Sequence, residues 1–192
     1  MKKVLLTAIL ALGLLSTKAQ IMIGPEAGVN FATITNTDVE DELLVGFHAG
    51  LKMQIPITSN FNVKPGAIYS YQGAKFDITP EQKLKYQYIN VPVLFDYTTP
   101  VGFFAETGPQ IGFLIDAESE VGDADVDIRD DAQDVDFSWS FGIGYKSTTT
   151  ANIGIHARYN MGLVNVANNG AGDSRNSVFQ VGLSYMFNTK MK

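Results

Sequence analysis

The chain has 192 residues with 14 basic and 20 acidic side chains, and its formal net charge of −6 makes nucleic acid an improbable partner. It contains no cysteine, which excludes disulfides, thiolate metal sites and a lipidated cysteine. We expect no nucleic-acid partner and no cofactor, with Ca²⁺ at an acidic loop as the one alternative.

The first nineteen residues have the pattern of a secretory signal peptide. Lys2 and Lys3 precede an apolar segment at 4–15, and Thr17 and Ala19 place small residues before a predicted cut. The apolar segment is shorter than the roughly 20 residues that a membrane-spanning helix needs. Cleavage after Ala19 takes the basic count from 14 to 11 against 20 acidic residues, a formal charge of −9. Residues 20–192 then form one domain.

Eight segments of the remaining chain alternate between apolar and polar or glycine positions. In the segment 102–116, Phe103, Ile111 and Phe113 fall on one parity, while Glu106 and Gln110 fall on the other. A period of two predicts a strand, and this one is longer than the roughly 9 to 11 residues that cross a bilayer at a tilt. The predicted strands cover 21–32, 45–55, 61–72, 88–97, 102–116, 135–146, 151–163 and 179–187.

The connections between these segments alternate in length. Short ones lie at 57–60, 98–101 and 147–150, and the longest connection runs from 117 to 134. This predicts an all-β fold: an eight-stranded antiparallel up-and-down transmembrane β-barrel with long outer loops and short periplasmic turns. The first strand should pair with the last, because unbonded backbone in hydrocarbon costs several kcal/mol per group. Bulges or missing bonds are expected at Pro25, Pro65, Pro92 and Pro109.

The two faces predicted for the strands suit lipid outside and a narrow lumen inside. A soluble barrel would carry many charges on its exposed face, whereas the polar face here is mostly glycine, serine and asparagine. Eight strands enclose only enough space for side chains, so we expect no diffusion pore. Interfacial aromatic girdles are predicted below at Tyr97, Phe103, Tyr145, Tyr185 and Phe187, and above at Phe47, Tyr71, Phe113, Phe137 and Trp139.

The inward parity also carries a predicted polar network. It comprises Glu26, Lys52, Lys64 and Glu106 below mid-height, with His156 and Arg158 higher, and its opposite charges should pair because a buried lone charge is costly. His48 shares this parity. A barrel hydrolase would need a histidine within reach of a serine and a carboxylate, and neither histidine has a serine beside it in sequence. We therefore predict no enzyme. A barrel enzyme acting on lipid or peptide is the lesser alternative.

The longest loop is rich in carboxylates. Within it, Asp123, Asp125 and Asp127 resemble the start of a calcium loop. However, Ile128 replaces the sixth-position glycine and Asp134 replaces the twelfth-position glutamate of an EF-hand. Looser Ca²⁺ binding or contact with a protein partner is the alternative to a plain solvated charge run. The candidate cation ligands are Asp123, Asp125, Asp127, Asp130, Asp131 and Asp134.

Short motifs along the chain resemble the PorT-like family of small outer-membrane barrels of Bacteroidota. They are GVNFA at 28–32, FHAGL at 47–51, YINVPVL at 88–94, GPQIG at 108–112, GIGY at 142–145 and GLSYMF at 182–187. The resemblance covers the mature chain and implies residence in the cell outer membrane. The name-giving member is associated with export of secreted proteases, which implies a secretion accessory as one alternative. Our main expectation is a monomeric barrel with a structural or surface-interaction role, whose outer loops meet a protein partner.

Overall fold

The computed structural model describes residues 21–35, 41–76, 82–122, 124–147, 152–166 and 174–188. Eight long strands follow one another in the chain. They are β1 Met22–Thr35, β2 Leu44–Pro56, β3 Phe61–Phe76, β4 Gln82–Thr98, β5 Phe103–Val121, β6 Val135–Lys146, β7 Ile153–Gly162 and β8 Arg175–Tyr185. Short strands lie at Asp41–Glu42, Ala124–Asp127 and Phe187–Asn188, and a 3₁₀ turn at Arg129–Asp131. No helix among the described residues is long and apolar enough to span a membrane.

Each long strand pairs antiparallel with the next, and the sheet closes on itself. The closing seam joins β1 to β8 from Glu26 opposite Ser184 to Thr35 opposite Arg175. Closure leaves no open edge in the barrel wall, which is the arrangement that satisfies every strand in hydrocarbon. The predicted eight-stranded antiparallel barrel is confirmed.

Alternating residues give the wall an inner and an outer face. On β2, Val45, Phe47 and Leu51 are exposed, while His48 and Lys52 are buried inside the barrel. The same parity runs around the wall, so apolar side chains cover the outside and polar ones fill the lumen. This is the reverse of a soluble barrel, because the solvent for the outer face is lipid.

The four prolines interrupt strand pairing without shifting it. Between β3 and β4 the pairing stops at Pro65 opposite Val93 and resumes, in the same register, at Ile68 opposite Asn90. Next to Pro109, the β4–β5 pairing stops at Pro92 opposite Gln110 and resumes at Phe95. The β1–β8 ladder likewise lacks the rung at Pro25. Missing rungs occur where predicted, because proline has no N–H to donate.

The register of the β4–β5 pair shifts elsewhere, between Gln87 and Tyr88. Tyr88 faces Leu114, but Gln87 faces Asp116, so Ile115 is an extra residue on β5. A strict period of two over 102–116 places Asp116 on the same inward parity as Glu106, and the bulge shows that this expectation is wrong. Beyond the bulge Ala117 and Ser119 are buried, and Asp116 accepts a 2.9 Å hydrogen bond from Gln87 on the other face.

Strands β3, β4 and β5 are longer than the sequence pattern predicted. They reach Phe76, Gln82 and Val121, so the third connection shrinks to 77–81 and the longest loop starts at 122 instead of 117. Ala124–Asp127 pairs with the end of β5, and Asp41–Glu42 pairs with the end of β3. Beyond Phe113, the last β5 residue paired with β6, β5 continues for eight residues. At about 3.3 Å per residue, that is roughly 26 Å of strand.

An apolar cluster closes the lumen at the end that carries the long loops. Inward side chains of the long strands meet residues of the loops, Ala132 and Val166. Burying this apolar surface fixes the protruding strands to the barrel, in the manner of a soluble protein core. The cluster, which we call the apolar cap, comprises Ile34, Ala74, Phe76, Tyr86, Tyr88, Leu114, Ala117, Ala132 and Val166, with Leu84 and Ile128 against it.

Candidate functional site

The lumen contains a continuous cluster of paired charges. Lys52 lies 2.6 Å from one oxygen of Glu26, and Arg158 lies 3.2 Å from the other. The Arg158 guanidinium also donates two hydrogen bonds to Glu106, at 2.8 and 3.1 Å. The side chain of Arg158 is only 1% exposed, so each of its bonds is made away from bulk water. Buried charges of this kind are stable only while each carboxylate keeps its bond to a lysine or arginine.

Lys64 extends the cluster toward the short-turn end. Its ammonium lies 2.7 Å from Asp96 and 3.3 Å from Glu106, and 4.0 Å from the centre of the Phe104 ring. Asn62 donates a 2.6 Å hydrogen bond to Asp96. The sequence-predicted network left out Asp96, although it shares the inward parity of β4. Its position opposite Glu106 in the strand register is the signal that identifies it.

The guanidinium of Arg158 reaches the two carboxylates that the sequence analysis placed below it. It contacts Glu26 and Glu106 directly, so all three belong to one layer. His156 joins these contacts, since one of its ring nitrogens lies within 4.8 Å of ligand atoms of Glu26 and His48. Strand position alone did not indicate these contacts, because they also depend on the barrel shear and on the reach of a long arginine side chain. The structure thus brings all six predicted lumen residues together.

The second histidine, His48, was not in the predicted network. Its Nδ1 lies 2.7 Å from Asn30 Oδ1, and its ring centroid is 6.0 Å from that of His156. The Asn30 amide donates to Phe47 O, Ser70 Oγ and Tyr71 O. Asn30 Oδ1 is therefore an acceptor, and His48 Nδ1 must be the donor.

Above the charged layer the lumen is filled mainly by neutral hydrogen-bonded side chains, and one carboxylate, Asp136, is buried with them. Ser140 donates to Asn160 at 2.7 Å, and Gln110 donates to Ser138 at 3.2 Å. Gln180 donates to Asn30 at 2.9 Å. With the apolar cap above them, these side chains occupy the interior from one end toward the other, as expected for eight strands.

Outside the barrel, the ends of β3, β4 and β5 carry a ladder of half-exposed ion pairs. Lys83 lies 3.1 Å from Glu120, Lys85 also pairs with Glu120, and Lys75 lies 2.9 Å from Glu42. Hydrogen bonds from Lys85 and then Lys83 hold the pKa of Glu120 below its ordinary value of 4.5. The same Glu120 bond raises the pKa of Lys85. Across this sheet the register runs from Glu42 through Lys75, Lys83 and Glu120 to Asp125, so the two lysines in the middle are flanked by carboxylates on both sides.

The acidic loop has no gathered cation site among its described side chains. Asp127 accepts a hydrogen bond from the Arg129 N–H, Asp134 pairs with the Arg129 guanidinium at 3.1 Å, and Asp125 lies 3.5 Å from Lys85. Asp130 is exposed. Asp123 and the side chain of Asp131 lie outside the described residues. Calcium binding at this loop stays a prediction.

The predicted girdle aromatics lie on the outer face. Rings pair at the short-turn end, where the ring centroids of Phe103 and Tyr145 are 5.1 Å apart and those of Tyr185 and Phe187 are 4.7 Å apart. The sequence analysis missed Phe61, whose ring centroid lies 4.9 Å from that of Tyr97. Near the other end, Phe113 is exposed and Phe137 faces Ile111. Trp139 lies lower, opposite Pro109, and its indole N–H donates to Thr107 at 2.8 Å.

Comparison with known proteins places the chain in a family. The model of the outer membrane protein beta-barrel domain family matches residues 16–168. The chain belongs to this family. It is therefore an outer-membrane protein that crosses the bilayer with its strands. No protein in the curated collection matches it significantly.

Three solved structures show the same fold. Neisserial surface protein A is 15% identical with a TM-score of 0.55, covering 87% of this chain and 97% of that one. OprG from Pseudomonas aeruginosa is 13% identical with a TM-score of 0.52, covering 91% and 99%. Ail of Yersinia pestis, in complex with the heparin analogue sucrose octasulfate, is 14% identical with a TM-score of 0.50, covering 88% and 99%.

The family match is general, so several finer expectations stay predictions. They are the resemblance to PorT-like proteins, the assignment to Bacteroidota and the role in protein secretion. The signal peptide predicted at 1–19 lies outside the described residues. The monomeric state and the absence of enzymatic activity are likewise predictions.

Proposed function

We propose that this protein is a surface-interaction barrel that presents its protruding sheet to a protein outside the cell. The observation that carries this proposal is the extension of β5 by eight residues past its last contact with β6. The strands β3 and β4 extend with it, and the apolar cap packs against their inner side. A sheet that only closed the barrel would not need this length.

The edge of that sheet is suited to a protein partner. Ala124–Asp127 pairs with β5 on one side, and in the described structure no strand pairs with its other side. An open strand edge offers backbone donors and acceptors to an extended segment of another protein. Its neighbours Lys85 and Glu120 would add charge complementarity.

A sulfated polysaccharide, the kind of ligand that the Ail complex represents, is less well supported. Lys83 and Lys85 share Glu120, Lys85 also lies 3.5 Å from Asp125, and Lys75 pairs with Glu42, so three lysines face three carboxylates. The chain as a whole has a net charge of −6. A polyanion would meet no excess of positive charge on this sheet.

A channel or an enzyme is also less well supported. Among the described residues, buried charged side chains and the apolar cap occupy the interior of the barrel, as expected where eight strands leave room only for side chains. Neither His48 nor His156 has a serine hydroxyl among its hydrogen-bond partners in the described structure. The histidines therefore lack the nucleophile of a hydrolase triad.

The test compares surface binding by two matched variants. The triple variant K83A/K85A/E120A removes the ladder at the sheet end, and Ser59→Glu changes the charge in the turn 57–60 at the opposite end. In nanodiscs, the wild type and Ser59→Glu should capture a protein from the cell surroundings that the triple variant does not. Equal capture by all three would refute the proposal. If all three proteins capture equally and a strain without this gene also loses protease secretion, the secretion accessory is favoured.

A further inference from the structure

The lumen contains a cluster of metal-ligand atoms in which two histidine nitrogens, outside the ion pairs, lie beside the ion-paired carboxylate of Glu26. One ligand atom each from Glu26, His48 and His156 lies within 4.8 Å of the others, and all three residues are at least 98% buried. Within the described residues, the Nε2 atom of His48 and both ring nitrogens of His156 have no hydrogen-bond partner. Buried polar atoms are rarely left unpaired, so a ligand is indicated.

We infer that these three side chains form a binding site for a divalent transition-metal ion of the Zn²⁺ type. Two imidazoles and one carboxylate, with a further position for water, are a ligand set that zinc uses. Atoms around tetrahedral zinc are roughly 3.3 Å apart, given bonds of about 2.0–2.1 Å. Small side-chain rotations would close the observed spacing to that value. This inference is independent of the surface-interaction role.

His48 is already oriented as a ligand. Because Asn30 Oδ1 accepts from its Nδ1–H, the neutral ring must keep an unprotonated Nε2. That nitrogen carries the lone pair that a metal binds. A hydrogen bond from the opposite ring nitrogen is the usual support of a metal-bound histidine.

Two glycines let the histidines approach each other. On neighbouring strands, His48 lies opposite Gly28, Gly28 lies opposite Gly182, and Gly182 lies opposite His156. A Cβ atom on Gly182 would lie 2.8 Å from the His156 ring and 2.9 Å from His48 Nε2. A Cβ on Gly28 would lie 2.6 Å from the His48 ring. Side chains at these positions would fill the space between the ligands.

The site spans the seam where the barrel closes. His48 is on β2, Glu26 on β1 and His156 on β7, so the ligands lie on both sides of the β1–β8 pairing. A bound ion would cross-link the first two strands to the seventh. Because the unfolded chain does not hold this arrangement, the ion should stabilise the closed barrel.

Lys52 competes with the metal for the carboxylate. Its ammonium is 2.6 Å from Glu26, and the carboxylates Glu26, Asp96 and Glu106 face equally many cations, Lys52, Lys64 and Arg158. A dication would therefore displace Lys52 from Glu26. Lys52→Gln removes this competitor and should raise the affinity for zinc, which distinguishes a metal site from a purely structural cluster.

In the experiment, Zn²⁺ alone is titrated into the full chain after refolding in detergent without metal. In parallel, the chain is refolded with Zn²⁺ present. We expect one Zn²⁺ per barrel by calorimetry, and a higher urea midpoint with metal. His48→Gln and His156→Gln should each weaken binding at least 10-fold, since even supporting residues of metal ligands contribute 10–100-fold. Asp136→Asn, another buried lumen carboxylate, is the control and should bind like the wild type.

Three results would overturn the inference. They are the absence of binding even after refolding with zinc, undiminished binding by both histidine variants, and weaker binding by Lys52→Gln. If a histidine variant does not fold, the wild type decides through the ¹⁵N signals of its imidazoles. Zn²⁺ should shift the Nε2 signal of His48, and an unshifted signal would show that only water occupies the site.

Discussion

The lumen and the protruding sheet both contain lysine–glutamate pairs, but their surroundings differ. The side chains of Lys52 and Glu26 are 6% and 0% exposed, whereas those of Lys83 and Glu120 are 29% and 27% exposed. The distances are similar, at 2.6 and 3.1 Å. Distance alone therefore does not tell which pair the fold depends on.

Burial determines what a broken pair costs. A lumen charge that loses its partner has no bulk water to replace it, while an exposed charge is simply hydrated. The lumen pairs are thus obligatory for this barrel, and the sheet pairs are free to exchange partners. That freedom is useful at a surface that binds another molecule, because the pairs can be opened at little cost.

The largest difference is expected from Glu106→Ala. This change takes a carboxylate from Arg158 and Lys64, and removing one partner of a buried pair costs about 3–5 kcal/mol. Asp125→Ala, on the exposed sheet, should change the free energy of unfolding by no more than roughly 0.5 kcal/mol. Urea unfolding of both variants in the same detergent measures the difference. If they unfold alike, Glu106 does not hold the lumen together.

A somewhat smaller loss is expected from Leu114→Ala in the apolar cap. Leu114 is buried, and truncating a buried leucine costs about 2–5 kcal/mol through lost burial and the cavity left behind. The loss should be local, so proteases should cut the protruding sheet while heat-modifiable migration still reports a closed barrel. Val126→Ala, at an exposed position of the same sheet, is the control. Equal protease resistance of both variants would contradict a supporting role for the cap.

The sequence was sufficient to predict the barrel because a period of two determines which side chains face lipid. It also placed the lumen charges on the correct face, as for Glu26 and Lys64, since parity depends only on local backbone geometry. The contacts of Arg158 could not be predicted in this way. They depend on the stagger between strands and on side-chain reach, which a single strand does not encode.

The protruding sheet was missed for a different reason. Lys83, Lys85 and Glu120 are charged on the side where membrane strands are apolar, so the pattern there indicates a loop. Above the membrane the solvent is water on the outer face, and the apolar cap lies on the inner one. The bulge at Ile115 also reverses the parity, and a single extra residue leaves no compositional signal.

The smallest effect is expected from acid and salt on the sheet ladder. Hydrogen bonds from Lys85 and Lys83 lower the pKa of Glu120, so its contribution is present above the ordinary carboxyl pKa of 4.5 and is lost as the pH falls through the lowered value. High salt should weaken the same exposed pairs at neutral pH. Amide hydrogen exchange at residues 83–85 and 118–120 measures this loosening, with the membrane part of the barrel as reference. Glu120→Gln has no carboxylate to titrate, so its exchange should lose this acid response. An unchanged acid response in that variant would assign the loosening to another group, and the ladder would not be the part of the sheet that opens.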